Sequence, residues 1–590
     1  MYNQKYAIYQ VFTRLFGNKN TQHVPWGTIE QNGVGKFSDF TDKALSEIRK
    51  LGMTHIWYTG VPHHAIINDY KHIGISDDHP SVVKGRAGSP YAVKDYYSVN
   101  PDLADTPEHR LEEFEALIKR SHDNGLKVII DIVPNHVARH YKGLNNPEGV
   151  CDFGAQDDTT LEYHRDNNFY YIPNSTFELP DIEPAFTPLG GEQHPNLSSP
   201  FIETPAKWTG NGSRLAKPNF DDWYETVKIN YGVRPDGSKD FPELPKDYAQ
   251  RDYREHHQFW ESVAVPSSWV KFRDIALFWL DKGIDGFRYD MAEMVPVEFW
   301  SYLNSSIKMQ KPNAFLMAEV YQPGLYRDYI HLGKMDYLYD KVDLYDGFKA
   351  IMQGKASTAI IPEIQHQMMD IEHHMLHFLD NHDEQRIASP EFVGNPHIAK
   401  PAMLVSALLS SSPTMIYFGQ EVGEPGAENA GFGQPSRTSI FDYIGLPQHQ
   451  KWMNHGAFDG GLLNNNEKQL RHFYQKVMNF SLEHSSITGD YQDLHQCSNL
   501  SDSVYAFLRY DHQELTIVAA NFSQHTTESI HLEISHDVIQ KLKLVDGRYI
   551  LNEHIEGITQ QVLDIKNSVG SINIELKPLA SLAWVLSFNG

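Results

Sequence analysis

The stretch "GIDGFRYDM", residues 283–291, decides how the chain is read. An apolar helical run through Ala276–Leu280 stops at Gly283, and a short apolar strand follows, closing on Arg288, Tyr289 and Asp290. Residues i and i+2 of an extended strand point the same way, so Arg288 and Asp290 share a face. An ion pair at the tip of a buried strand is either a structural clasp or the floor of an active site. The rest of the chain has to say which.

Working outward, strand-then-helix recurs. "AIYQVF" (7–12), "HIWYTG" (55–60) and "KVIIDIV" (127–133) read as strands, the last almost wholly apolar, as parallel strands covered on both faces are. Helical spacing runs over 41–51 and over the segment opened by Thr106, Pro107 and Glu108, where threonine is expected as N-cap and proline at the first helical position. A helix over 267–282 leads into the quoted strand. "AFLMAE" (314–319), "DYLYD" (336–340), "MLHFLDNHD" (375–383) and "TMIYFG" (414–419) follow, making eight strands. That alternation predicts an α/β fold, a (β/α)8 TIM barrel. Residues 137–266, rich in Pro, Gly, Asn and aromatics, are too long for a loop and predict an inserted subdomain after the third strand. The catalytic barrel is then 1–136 plus 267–485, and the alternating strands of 486–590 predict a C-terminal antiparallel β-sandwich.

Bulk properties restrict the function. The 590 residues carry a formal net charge of −25, which argues against nucleic acid or an anionic membrane as partner. No apolar run is long enough to span a membrane. Two cysteines, Cys151 and Cys497, supply neither a disulfide framework nor a zinc cluster. Aromatics at 12% suit a large core and also stacking on sugar faces. The N-terminus reads as a strand rather than a signal peptide. The protein is therefore expected in the cytoplasm if the chain is complete as read, and in the periplasm or outside if a leader was removed; oligomeric state stays open.

Function in a barrel gathers at the C-terminal strand ends. The third strand ends in Asp131, Asn135 and His136, the fourth in Arg288 and Asp290, the fifth in Glu319, the seventh in Asn381, His382 and Asp383. Carboxyl groups about 5 Å apart across a glycosidic bond are what retaining hydrolysis needs. Asp290, kept ionised by Arg288, suits the nucleophile. Glu319, after the apolar "FLMA", suits the acid/base with a raised pKa. Asp383 suits stabilisation of the developing positive charge, and His136 and His382 suit hydrogen bonds to sugar hydroxyls.

"DIVPNH" (131–136), "GFRYD" (286–290), "AEVY" (318–321) and "FLDNHD" (378–383) resemble, in order, the four signature regions of the α-amylase family, glycoside hydrolase family 13. "ELPDIEP" (178–184), "GSPYAVKDYYSVNP" (88–101) and "IYFGQEVG" (416–423) resemble further stretches of it. The resemblance implies Asp290 as nucleophile, Glu319 as general acid/base and Asp383 as transition-state stabiliser. Arg288, His136 and His382 would line the sugar subsite before the scissile bond, and Tyr91 would stack on that sugar. It implies no cofactor for the chemistry and leaves room for a structural calcium ion, with Asn135 and Asp181 as candidate ligands. The chain departs from the family where many members carry Lys-His after the nucleophile; here stand Glu293 and Met294. The expected substrate is an α-1,4-glucan such as starch or a maltodextrin. A neopullulanase-like or α-1,6-cleaving enzyme, a glucanotransferase and a catalytically silent glucan-binding protein are the alternatives.

Overall fold

The structure, a computed structural model, describes residues 4–433, 435–495, 498–557 and 560–588. Eight parallel strands close a barrel in chain order: β1 (Ala7–Phe12), β2 (His55–Thr59), β3 (Lys127–Ile132), β4 (Gly286–Tyr289), β5 (Phe315–Ala318), β6 (Tyr337–Tyr339), β7 (Met375–Phe378) and β8 (Thr414–Tyr417). β8 returns to β1 with Ala7 opposite Thr414 and Gln10 opposite Tyr417. Except for Lys127 at its start, every residue in these strands is buried, because helices cover the outside and side chains fill the inside. Gly286 is required where β4 meets β5: a Cβ there would lie 2.1 Å from the Phe315 carbonyl oxygen.

The helices obey the expected signals with one exception. In α1 (Asp42–Lys50), Thr41 caps the start by accepting from the Ala44 N–H, a contribution of about 1 kcal/mol. Thr106 makes no such side-chain cap; a 3-10 turn over Pro107–His109 precedes α2 (Arg110–Asp123). Glu113 reaches back instead and fixes the approaching chain, accepting from the Asp105 and Thr106 N–H groups.

After β3 the chain leaves the barrel. His136–Ala138 pairs antiparallel with Thr226–Lys228, and most of the stretch between is short bridges and 3-10 turns. The helix Tyr253–Glu261 returns to the barrel: Trp260 and His256 both bond the Ser301 hydroxyl on the helix Val297–Gln310.

The C-terminal strands form one antiparallel sheet folded around a core of its own. Along Val504–Tyr510, Ala506 and Leu508 face that core while Tyr505 and Phe507 face the barrel. The period of two thus explains why this strand is buried on both sides. Cys151 is exposed, and Cys497 lies outside the described residues.

Candidate active site

Arg288 and Asp290 point into the barrel mouth, as alternate residues of one strand must. The guanidinium is fully buried. Its Nη1 lies 2.8 Å from Asp290 Oδ1 and 3.5 Å from Asp131 Oδ1, its Nη2 3.0 Å from Glu319 Oε2, and its Nε donates to the Tyr339 hydroxyl at 3.3 Å. One cation therefore gathers carboxyl groups from the ends of β3, β4 and β5. Met291, immediately after Asp290, has a left-handed backbone (φ 45°, ψ 41°), a conformation that costs a non-glycine residue about 1–3 kcal/mol. The turn aims its N–H at Glu319 Oε2, 2.9 Å away, so that oxygen is held twice.

Asp383 is fixed by the segment after β7. Asn381 Oδ1 accepts from the N–H groups of Asp383 and Glu384, an Asx turn. The Gln10 amide donates to His382 Nδ1 at 2.8 Å, leaving the proton of a neutral ring on Nε2, where Asp383 Oδ2 lies 3.0 Å away. Tyr91 reaches the same Nε2 with its hydroxyl and stacks on the His382 ring at 5.4 Å. Trp57 donates its indole N–H to Asp131.

The electrostatics separate these acids. Burial pushes the Asp290 carboxyl well above the carboxylate range; Arg288 opposes this, and the charges of Glu319 and Asp383 add to it. The expectation that Arg288 alone keeps Asp290 ionised is thus corrected: the guanidinium is shared with Glu319, and its pull is divided. Asp383 is also buried, but His382 and Arg288 overcome that and bring it down to about 2. His136 is driven down to about 3 by desolvation, with Lys228 and Lys84 adding to it, and is neutral.

His136, Tyr91, Arg288 and His382 converge with the three carboxylates. Asp181 does not. Its side chain is 96% exposed and paired with Lys217 at 2.7 Å, whereas Asn135 is fully buried. Asn135 donates to the Gly210 carbonyl at 2.9 Å and to His136 Nδ1 at 3.0 Å. Gly210 is needed there because a Cβ would lie 2.1 Å from Thr226 Oγ1. The remaining Asn135 oxygen accepts from Lys228 Nζ, which also donates to the Met294 carbonyl at 3.3 Å. An ammonium thus stands between the oxygens a calcium ion would need. No group of three or more His, Cys, Asp or Glu side chains suited to a metal occurs among the described residues. Asn135 and Asp181 therefore do not fit a shared calcium ion.

Several site residues escaped the sequence reading. Gln10 holds His382 from β1 and Trp57 holds Asp131 from β2; a lone polar residue inside "AIYQVF" was the available signal. Glu293 accepts from the N–H groups of Tyr321 and Gln322 and ties the loop after the nucleophile to the loop after Glu319. Above Asp383 opens a cavity of about 520 Å³, lined in part by Lys84, Phe186, Trp223, Phe432 and Arg437. One wall is knitted from three distant segments. Phe432 packs against Phe186 and Trp26 at 5.3 and 5.8 Å, the Trp26 N–H donates to the Ala430 carbonyl, and Arg86, ion-paired with Glu192, holds the Trp26 carbonyl.

A closed (β/α)8 barrel with four carboxylates, an arginine and two histidines at the ends of β3, β4, β5 and β7 defines a class, the barrel glycosidases. A family profile described as "Alpha amylase, catalytic domain" matches residues 10–182 and 252–455, and the chain belongs to that family. It is 20% identical over 542 residues to a cyclomaltodextrinase of a Bacillus species, covering 87% of this chain and 72% of that one. It is 22% identical over 446 residues to α-amylase 3 of Dictyoglomus thermophilum, covering 71% of this chain and 64% of that one. The chain spans between 55% and 72% of the length of the curated relatives it matches most strongly across the barrel. In fold it resembles a noncanonic maltogenic α-amylase of Thermotoga neapolitana, with a TM-score of 0.59 at 16% identity over 99% of both chains.

Proposed function

We propose that the protein hydrolyses α-1,4-glucosidic bonds in maltodextrins with retention of configuration, with Asp290 as nucleophile, Glu319 as general acid/base and Asp383 as charge stabiliser. The observation that carries this is the sharing of the Arg288 guanidinium between Asp290 and Glu319. As general acid, Glu319 passes a proton to the leaving oxygen while Asp290 attacks the anomeric carbon, the glycosidic bond breaks and a glycosyl ester forms. Water then attacks the same carbon, gives its proton to Glu319, and Asp290 leaves as carboxylate. Asp383, ionised throughout, faces the positive charge that develops in both steps. Tyr91 offers a face to the sugar, and a sugar hydroxyl takes the place of the Tyr91 hydroxyl at His382 Nε2 when substrate binds.

The knitted aromatic wall favours short maltooligosaccharides over internal cleavage of long chains, because an endo-acting cleft must be open at both ends. The test is a product time course on soluble starch, a maltooligosaccharide series, a cyclomaltodextrin and pullulan. Rapid turnover of maltooligosaccharides, with slow action on starch, supports the proposal. Panose or maltotriose from pullulan would move the reading to the neopullulanase-like or α-1,6-cleaving alternative. Products longer than the substrate would indicate a glucanotransferase. Binding without turnover on every substrate would indicate a silent glucan-binding protein.

A further inference from the structure

Lys228 ends the strand Thr226–Lys228 and lies opposite His136 in the antiparallel ladder, so main-chain pairing sets where its side chain starts. From there the ammonium reaches out of the inserted subdomain and joins two parts of the barrel. One is the Asn135 side chain, just beyond β3; the other is the Met294 carbonyl, in the loop after the nucleophile. Both acceptors are neutral oxygens, and no carboxylate forms an ion pair with Lys228 among the described residues. A divalent ion wants six to eight oxygens and negative ligands to offset its charge. Two neutral oxygens suit a single positive charge with directed N–H donors.

We propose that Lys228 supplies the cation that pins the inserted subdomain to the catalytic loop, so that this junction needs no metal and Lys228 acts as a positioning residue for Asp290 and Glu319. The route is short. Met294 lies four residues after Asp290, and between them the Met291 N–H holds Glu319 and the Glu293 carboxylate holds the loop after Glu319. Losing the ammonium frees the Met294 carbonyl and loosens both catalytic acids at once. Asp181 plays no part, being exposed and paired with Lys217. Calcium and Lys228 cannot both occupy the Asn135 oxygen, since two cations on one acceptor repel.

The experiment has two arms on the full chain. In the first, the wild-type protein is dialysed against EDTA, its metal content is measured, and melting curves are recorded with EDTA and with added calcium chloride. Coincident curves and no stoichiometric metal are expected; a melting temperature that falls on chelation and returns with calcium would overturn the proposal. In the second, Lys228→Met and Lys228→Arg are compared. Lys228→Met should lower kcat by about tenfold or more with a smaller change in KM, and Lys228→Arg should restore most of it, because misplaced catalytic groups cost rate more than binding. Wild-type kcat in Lys228→Met would overturn the positioning role. If Lys228→Met does not fold, the Lys228→Arg rates and the chelation arm still decide. The rate arm rests on the proposed hydrolase activity and the metal arm does not, so failure of one reading is distinguishable from failure of the other.

Discussion

The floor of the cleft and its wall are built in different ways. The floor is polar and comes from strand ends: Arg288, Asp290, Asp131, Glu319 and, just past β7, Asp383, each tied by one or more hydrogen bonds. The wall is aromatic and comes from three segments far apart in sequence: Trp26, Phe186 and Phe432. In the floor, a residue's role follows from its place on a strand, and a change of one atom alters the charge balance. In the wall, a residue's role is to fill space, and neighbours can share it. The floor should therefore fail sharply and the wall gradually.

The largest effect expected is at the floor. Asp290→Asn and Glu319→Gln should each cut kcat by about 10⁴-fold on natural substrates while leaving the melting temperature nearly unchanged, as steady-state kinetics and calorimetry would measure. A residual rate within tenfold of wild type would break the comparison. Arg288→Met comes next, and here stability should suffer with activity. It leaves several buried acids without their cation, a loss of about 3–5 kcal/mol when one partner of a buried pair is removed. Denaturant unfolding should show it, unless the acids take up protons instead, which a rise in stability towards low pH would reveal.

The buried histidines should lose their contribution to stability in acid. His55, His64 and His449 are held near 4 and His136 and His377 near 3, all chiefly by desolvation. Their folded pKa values lie below the unfolded value of about 6.5, so the unfolded chain binds protons that the fold refuses. Their share of the stability is then full above about pH 6.5 and is lost as pH falls towards 4. Asp340, Asp380 and Glu424, pushed up to about 7 by burial, work the other way over the same range, so the histidine share is read by NMR titration: these rings should stay neutral down to about pH 5, and rings that titrate near 6.5 would show the histidines to be open to solvent. The smallest effect belongs to the wall. Phe432→Ala should leave kcat on maltotriose within about threefold and raise the ratio of starch to maltotriose turnover, because a gap replaces one side of the enclosure. An unchanged ratio would mean the wall does not set chain length.

The same contrast explains what the sequence disclosed. The eight strands were legible because each is a short apolar run with turn signals at its end, and the period of two put Arg288 and Asp290 on one face before any coordinates. Their shared guanidinium was half legible: the pairing with Asp290 follows from i and i+2, but the reach to Glu319 depends on the neighbouring strand's register, Arg288 opposite Met317. For the same reason the direction of the Asp290 shift was misjudged, since burial and a second acid on the same cation are tertiary facts. Lys228 was invisible. Nothing local distinguishes that lysine from any other; only the ladder that sets it opposite His136 brings it to Asn135. The wall was out of reach too, because Trp26, Phe186 and Phe432 meet only after the barrel has closed.

The central claim is that Asp290 attacks the sugar, and it can be tested by trapping. The Glu319→Gln variant is given an α-maltosyl fluoride, whose leaving group needs no acid, and the protein is then digested and mapped by mass spectrometry. The account predicts a maltosyl adduct on the peptide carrying Asp290, stable because the base that activates water is gone. An adduct on another carboxylate, or rapid turnover with none detectable, would contradict it.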